Sequence, residues 1–275
     1  MNTAINPWQL KAAATYNAAA DHFDAGPLGF WDRHGRKAVE LADLQPGDRV
    51  LDFGCGTGAS ALPAAHAVGP SGEVIGIDIA EAMLDRARHK AAAEGLENTS
   101  FRLVDMTEPG DLGGPFDAII GVFAIFFTPA MERQIGLLWR MLKPGGRLVI
   151  TVWAERSFQP AAVIFGEEVR RDRPDIPPAT RPWERLTVPT NLSRLFLDGG
   201  AAEPEICTVR DVQPLASVED WWTIAMGSGF RWEIGLLADE ERTNVKRRVL
   251  ARLEADGVSA IEASAHHAVA TKLVG

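Results

Sequence analysis

The 275-residue chain has only two cysteines, Cys55 and Cys207, in unrelated contexts. Two thiols cannot build a disulfide framework or, by themselves, a metal cage, so a reducing, cytoplasmic setting is expected. No apolar run approaches the ~20 residues that span a bilayer; the longest nearly uncharged one is 118–127. Met1-Asn2-Thr3-Ala4-Ile5-Asn6-Pro7-Trp8 lacks a basic region followed by an apolar stretch, so no secretory signal is expected. Positive charge is scarce, with 28 Lys+Arg against 37 Asp+Glu and a net charge of −9. No Lys/Arg-dense stripe offsets that balance, which argues against a nucleic-acid partner. Arg170-Arg171-Asp172-Arg173 and Lys246-Arg247-Arg248 are short, flanked by acids, and read as solvated faces. Repeats and long low-complexity tracts are also missing. The 46% hydrophobic and 24% charged residues that remain are ordinary for a chain burying a core, as one large domain or one domain with a cap.

Residues 48–153 alternate short β-rich runs with helical patterns. Strands are expected at 49–53, 73–77, 100–104, 116–122 and 147–153. A glycine turn and an Ala-rich helix near 58–68 follow the first strand. Met83, Leu84, Ala87 and Ala91 form the apolar stripe of a second helix, and a third runs over 130–142 with Ile135, Leu138 and Leu142 on one face. It is expected to stop at Lys143-Pro144-Gly145-Gly146. Strands separated by helices of this length imply a mostly parallel sheet with helices on both faces. After Trp153 the pattern changes. Residues 154–190 hold Pro160, Pro174, Pro177, Pro178, Pro182 and Pro189 and suit an inserted cap. Sheet-like character returns over 205–212 and 259–273. Between them lie 217–226, with Trp221-Trp222, and a helix from Asp239 to Asp256 that Asp239 can cap and Gly257 can end.

The chemistry concentrates in Val50-Leu51-Asp52-Phe53-Gly54-Cys55-Gly56-Thr57-Gly58. A strand entering three alternating glycines and then a helix lets backbone approach a ligand closely. Gly76-Ile77-Asp78 follows at the end of the next strand, and an acid about 20 residues past such a turn can bind ribose hydroxyls. The set indicates a nucleoside-containing cofactor. A dinucleotide fingerprint would place the third glycine one residue later, and the carboxylate of Asp52 would repel a pyrophosphate. It suits a ligand with an amino group and a cationic sulfonium, which favours S-adenosyl-L-methionine.

Val50–Gly58 resembles the class I S-adenosylmethionine-dependent methyltransferases, most closely the small-molecule group that includes the ubiquinone and menaquinone C-methyltransferases. Ile77-Asp78-Ile79-Ala80-Glu81-Ala82-Met83-Leu84 resembles that family's ribose-binding segment, Val104-Asp105-Met106 its adenine-edge segment, and Leu142-Lys143-Pro144-Gly145-Gly146-Arg147-Leu148 the turn before its fifth strand. The resemblance is strong over 45–153 and an outline over 190–273. It implies a Rossmann-like, doubly wound, seven-stranded and mostly parallel sheet, with an N-terminal helical lid (1–45), a cofactor-binding core (46–153), and cap insertions after the fifth and sixth strands plus completion of the sheet (154–275), in one structural domain. It also implies that Gly54, Gly56 and Gly58 shape the turn around the methionyl portion with Asp52 near its amino group. Asp78 would take the ribose hydroxyls, Ile79 would pack on the adenine with Met83 in the same segment, and Asp105 would accept from the adenine amino group beside Met106. Phe123 would line the site near the sulfonium, and Tyr16, in a Tyr-x-x-x-Ala-x-x-Phe-Asp pattern, would act as lid residue.

Departures narrow the acceptor. Gly121-Val122-Phe123-Ala124 stands where enzymes acting on exocyclic amines of bases or on glutamine amide carry Asn/Asp-Pro-Pro-aromatic. No paired-acid and Asn arrangement supports a magnesium-dependent catechol enzyme, and His266-His267 on a strand point to opposite faces, so no metal is expected. An O or N acceptor would need a base; His22 is the first candidate, then Asp24 and His34, whereas His66 and His89 look like surface residues. Six of the eight tryptophans (Trp8, Trp31, Trp183, Trp221, Trp222, Trp232) fall outside 45–153, and either wall an acceptor site or cement a cap onto the sheet. The expected function is methyl transfer to a C, O or N nucleophile of a hydrophobic or aromatic small molecule, such as a quinol or polyketide. The alternative is a cofactor-assisted cyclisation or rearrangement. The expected partner is that small molecule, with no nucleic acid and no membrane span; monomer and homo-oligomer fit the same counts.

Overall fold

Strands buried on both faces by flanking helices read as near-continuous apolar runs rather than alternating ones, and the first half of this chain folds accordingly. The computed structural model describes residues 7–177, 181 and 183–274, with Pro7 and Trp8 described by backbone alone. Two helices come first, α1 (Pro7–Phe23) and α2 (Phe30–Ala42). The βα alternation follows as β1 (Arg49–Phe53), α3 (Ala61–Val68), β2 (Glu73–Asp78), α4 (Glu81–Ala93), β3 (Thr99–Leu103), β4 (Phe116–Val122), α5 (Met131–Met141) and β5 (Leu142–Trp153). The buried residues of α4 are Met83, Leu84, Ala87 and Ala91, the stripe read from the sequence. Beyond β5 lie α6 (Ala161–Asp172), α7 (Pro189–Asp198), β6 (Glu205–Val209), β7 (Val212–Pro214), α8 (Glu219–Met226), α9 (Arg231–Gly235), α10 (Asp239–Ala255), β8 (Ala260–Glu262) and β9 (Ala265–Thr271).

Seven strands form one sheet in the order β3-β2-β1-β4-β5-β9-β6. Pairings among β1 to β5 are parallel, and β9 runs antiparallel to both β5 and β6. This is the doubly wound, mostly parallel sheet expected. The winding reverses between β1 and β4, and ligands of such sheets bind at the carboxyl ends of the strands beside that reversal. Among the described residues no helix is long and apolar enough to cross a membrane.

Several local expectations shift, each for a physical reason. Leu142 ends no helix; it pairs with Phe116 and starts β5, so Lys143-Pro144-Gly145-Gly146 lies inside an irregular strand start where the register with β4 shifts. The helix expected from 58 starts at Ala61, because 54–60 stay with the glycine turn. Asp239 does not cap α10. Ala238 holds the N-cap position and its N–H donates to the Glu241 carboxylate at 2.8 Å. Val245, Val249 and Leu253 are buried as expected, and Gly257 follows the helix in the left-handed region at φ 65°. The stretch 154–190 contributes helix α6, with Ile164, Phe165 and Val169 buried; Pro178 and Pro182 lie outside the described residues. The two later sheet-like stretches each split, and their short halves β7 and β8 pair with each other. Nor are the basic runs merely solvated. Arg248 reaches Glu168 and Asp172, and Arg252 reaches Glu167 and Glu168, so α10 is tied to α6 through a carboxylate that is almost fully buried.

Helix α2 sits against the loop that follows β1 because Gly35 has no side chain. A Cβ there would stand 2.2 Å from the Ala59 carbonyl oxygen, which is backbone and cannot swing aside. Gly35→Ala is therefore expected to destabilise the chain by about 1–3 kcal/mol, despite the better helix propensity of alanine. Urea denaturation reads the change directly, and unchanged stability would show that α2 does not press on the loop.

Candidate active site

The sharp turn after β1 is closed by a carboxylate from β2. Asp78 accepts the N–H of Gly56 at 2.9 Å on one oxygen, and those of Ile79 and Ala80 at 2.7 and 2.9 Å on the other. Gly54 and Gly56 have φ of +72° and +53°, and a Cβ on Gly54 would lie 2.6 Å from that of Ala124. Only glycine fits the first position. Behind the turn, Asp52 is 1% exposed and takes the Ser60 hydroxyl on Oδ2 at 2.7 Å, while its Oδ1 has no partner among the described residues. Burial, reinforced by the charge of Asp78, pushes the Asp52 carboxyl up to about 7, although Ser60 and the Ala61 N–H favour its ionised form. Burial also raises Asp78, against its three backbone donors. Two enclosed acids, one with an orphaned oxygen, leave the site short of a cation or a cationic donor.

A cavity opens on this turn. Gly54, Gly56, Asp78, Ile79, Met83 and Met106 line one part of it. Met106 is held by Gln134 of α5, whose side-chain amide donates to its carbonyl at 2.7 Å. Tyr16 closes the cavity from α1, edge-on to Phe127 at 5.5 Å, and burial pushes its hydroxyl up so that it stays protonated. Phe123, at φ 55° just past β4, stacks on Trp153 at 3.8 Å. Such a backbone conformation is uncommon for a bulky residue. From that stack an aromatic wall continues through Trp153 to Phe158 at 4.8 Å and on to Phe230 at 5.5 Å. On the near side Trp31 of α2 lies 5.5 Å from Phe123 and stacks on Phe23 at 5.0 Å.

The structure thus brings Tyr16, Gly54, Gly56, Asp78, Ile79, Met83, Met106 and Phe123 to one cavity. Three other expected ligands stand off it. Asp52 lies behind the turn, and Gly58 faces Leu62 and Ala87. Asp105 has its carboxylate taken by Gln9 of α1 at 2.7 Å and by Thr107. His22 does not line the cavity; its Nδ1 is enclosed without a partner, and Gly227 packs on its backbone. Asp24 is occupied by Thr57, Arg86 and Lys90. These hold its carboxyl below the ordinary range although burial opposes them. Neither is placed to serve as a base. Trp221 and Trp222 do not wall the cavity. Trp221 is fully buried against Phe230 and Phe165, so the pair cements the cap. Trp31, Trp183 and Trp232 do line it, and the side chain of Trp8 lies outside the described residues. Sequence reasoning missed Trp153, Phe158, Phe230 and Glu233 as lining residues, because three come from the segments after β5, where no motif marks them, and Trp153 reads as the end of a core strand. No group of three or more His, Cys, Asp or Glu among the described residues could hold a metal ion.

His34 is committed to the scaffold beneath the aromatic floor. Its Nε2 faces the Ala263 carbonyl at 2.8 Å and its Nδ1 faces His267 Nε2 at 3.2 Å, while His267 Nδ1 faces the Thr151 hydroxyl at 2.9 Å. A carbonyl only accepts, so His34 donates from Nε2, accepts from His267 on Nδ1, and His267 accepts from Thr151. His266 turns the other way, to Thr208 and the Thr187 carbonyl. Burial lowers His34 despite Ala263 and Asp211, and burial with the charges of His34 and Lys37 lowers His267 to about 3. As pH falls from about 6.5 toward 3, the unfolded chain binds protons that the folded pair refuses, so the contribution of the pair to stability is full above that range and is lost through it. His267→Gln should lower stability by about 1–3 kcal/mol at pH 7.5, and the gap to the native chain should narrow at pH 5 in thermal unfolding. An equal gap at both values would exclude the neutral pair.

Residues 44–174 match the family model described as a methyltransferase domain. The chain is 33% identical over 144 residues to aklanonic acid methyltransferase DauC of Streptomyces sp. strain C5, covering 52% of this chain and 66% of that protein. It is 37% identical over 136 residues to nocamycin O-methyltransferase of Saccharothrix syringae, covering 50% and 49%. With 2-phytyl-1,4-naphtoquinone methyltransferase of Synechococcus elongatus it shares 34% identity over 173 residues, covering 62% of this chain and 71% of that one. The first two of these matches thus span about half to two thirds of the relative's length. Solved structures sharing the fold include the YcgJ protein of Bacillus subtilis, at a TM-score of 0.55 and 19% identity over 88% of this chain and 100% of that one. The [4+2]-cyclase SpnF shares it at a TM-score of 0.52 and 22% identity, over 89% and 81%.

Proposed function

The chain belongs to the class I methyltransferase family, and from that premise we propose that it moves a methyl group from S-adenosylmethionine to a hydrophobic, aromatic small molecule. The observation that carries the reading is the pairing of an acid-lined glycine turn with an aromatic cavity on the same crevice. The residues fit the cofactor. Asp52, held behind the turn by the Ser60 hydroxyl that faces the cavity, sets a negative field there that suits an ammonium group, the glycine turn leaves room for the methionyl chain, and the apolar faces of Ile79, Met83 and Met106 suit a purine. When bound, the cofactor supplies a methyl group already activated on a sulfonium.

What the protein adds is placement. Asp78 keeps lone pairs for ribose hydroxyls while holding the turn. Phe123 and Trp153 present π faces, which favour a cation, beside the position where the acceptor enters. Thr15 and Tyr16 on α1 cover the crevice and exclude water. In-line alignment of this kind accounts for about 7–11 kcal/mol of barrier lowering in well-oriented reactions. No side chain lining the inner cavity is a free histidine, which favours an acceptor that is already nucleophilic, such as an enolisable carbon or an acidic phenol. The proposal includes residues 1–45 as lid, 46–153 as cofactor-binding core and 154–275 as cap plus sheet completion, and a reducing cytoplasmic setting, supported by two unpaired cysteines.

Incubation with methyl-labelled cofactor and a panel of polycyclic phenols and quinols tests the reading. A product heavier by one labelled methyl is the expected result, whereas an isomer of unchanged mass would mark a rearrangement of the kind the shared fold also hosts. Cofactor binding should carry a pH signature. Asp52 must be ionised for its charge behind the turn to attract the ammonium group, so affinity for S-adenosylhomocysteine should rise by up to about tenfold per unit as pH approaches 7 from below and level off above it. Asp52→Asn should bind more weakly at pH 8 and lose that slope. Calorimetry across pH 5.5–8.5 would detect either pattern, and a flat native profile would remove Asp52 from the site.

A further inference from the structure

The aromatic wall of the cavity ends on a carboxylate. Phe230 terminates the ring series that begins at Phe123, and Glu233 follows it by one helical turn in α9. Glu233 is 5% exposed and lines the cavity. No described residue donates a hydrogen bond to its carboxylate, and its oxygens are not among the buried polar atoms sealed off by packing. A glutamate retained for structure alone would be paired, because an unpaired buried carboxylate costs several kcal/mol. On the cavity side its surroundings are rings together with Lys11 and Arg181. The alternative is that the missing partner is a ligand.

We propose that Glu233 is the specificity-determining group of the acceptor site, accepting a hydrogen bond from a hydroxyl on an otherwise apolar aromatic molecule whose reactive end lies against Phe123 and Trp153. This rests on the reading of the cavity as a methyl-acceptor site. A hydroxyl is favoured over an ammonium group by the field. Arg170, Arg181 and Lys11 surround Glu233 with positive charge, and Lys11 itself lies 4.6 Å over the Trp232 ring. With three cations already around it, a further cation would be repelled, whereas a neutral donor is not. A carboxylate ligand has no hydrogen to donate to Glu233. The expected acceptor is therefore a flat phenol or hydroxyquinone with its hydroxyl remote from the methylated atom.

Quenching of the cavity tryptophans by naphthalene, 2-naphthol and 2-naphthoate, with and without saturating S-adenosylhomocysteine, tests the assignment on the full chain. The native protein should bind 2-naphthol at least about tenfold more tightly than naphthalene, the preference expected for a hydrogen bond to a charged group. Glu233→Leu should bring the two affinities together and strengthen 2-naphthoate. Glu233→Gln, which keeps the volume and one acceptor oxygen, should retain part of the naphthol preference while admitting naphthoate; it decides the question should the leucine variant not fold. A naphthol-to-naphthalene ratio near one, no measurable binding of either, or a ratio that survives Glu233→Leu overturns the assignment. Calorimetry with S-adenosylhomocysteine separately decides the cofactor reading, so the two can fail independently.

Discussion

The site depends on one half-buried carboxylate. Asp78 ends β2, yet its oxygens hold three backbone N–H groups, one from the glycine turn after β1 and two from its own chain just beyond the strand. Those bonds fasten two adjacent strand ends together at the place where the sheet reverses its winding. The N–H groups would otherwise be orphaned at a crevice. Because Gly54 has no side chain, Ala124 packs directly against the turn, so the ends of β1, β2 and β4 meet at one corner, and the cavity opens at that corner.

Around the corner the structure divides its chemistry. Polar, acidic groups cluster where the turn approaches, with Asp52 and Asp78 both forced upward by burial. Two enclosed acids in low dielectric interact unfavourably, which favours a cationic ligand at this turn. Phe123 and Trp153 mark the boundary, stacked and at the carboxyl ends of β4 and β5. Beyond them the cavity is aromatic until it reaches Glu233. The proposed reaction, with an activated methyl group on one side and a flat apolar acceptor on the other, would need a boundary of this kind, which is polarisable and excludes water.

Much of the first side was legible in the sequence. Val50 to Gly58 and Gly76 to Asp78 are local: a strand, a turn that only glycine tolerates and an acid at a fixed distance constrain one another through backbone geometry, so residue spacing alone carried them. The doubly wound sheet followed from the same alternation. Asp105 was legible as a strand-end acid, but not its engagement by Gln9, 96 residues away. His22 and Asp24 looked like bases because they follow Tyr16 closely, and only the structure shows that His22 does not line the cavity and that Asp24 is engaged by Thr57, Arg86 and Lys90. Trp221 and Trp222 were indistinguishable from a cavity wall by type. They are core because α8 turns them onto Phe165 and Phe230.

What the sequence determined by itself was the acid-lined glycine corner and the sheet that supports it, because both rest on interactions between residues near in the chain or on hydrophobic periodicity. What only the tertiary structure decided was the aromatic side of the cavity. Trp31, Phe158, Phe230 and Glu233 come from α2, the segment after β5, and the cap, and nothing in their spacing ties them to one another. They converge because the cap folds back over the carboxyl ends of β4 and β5, and whether an aromatic residue there lines a cavity or fills a core depends on a few ångströms of packing rather than on its position in the chain.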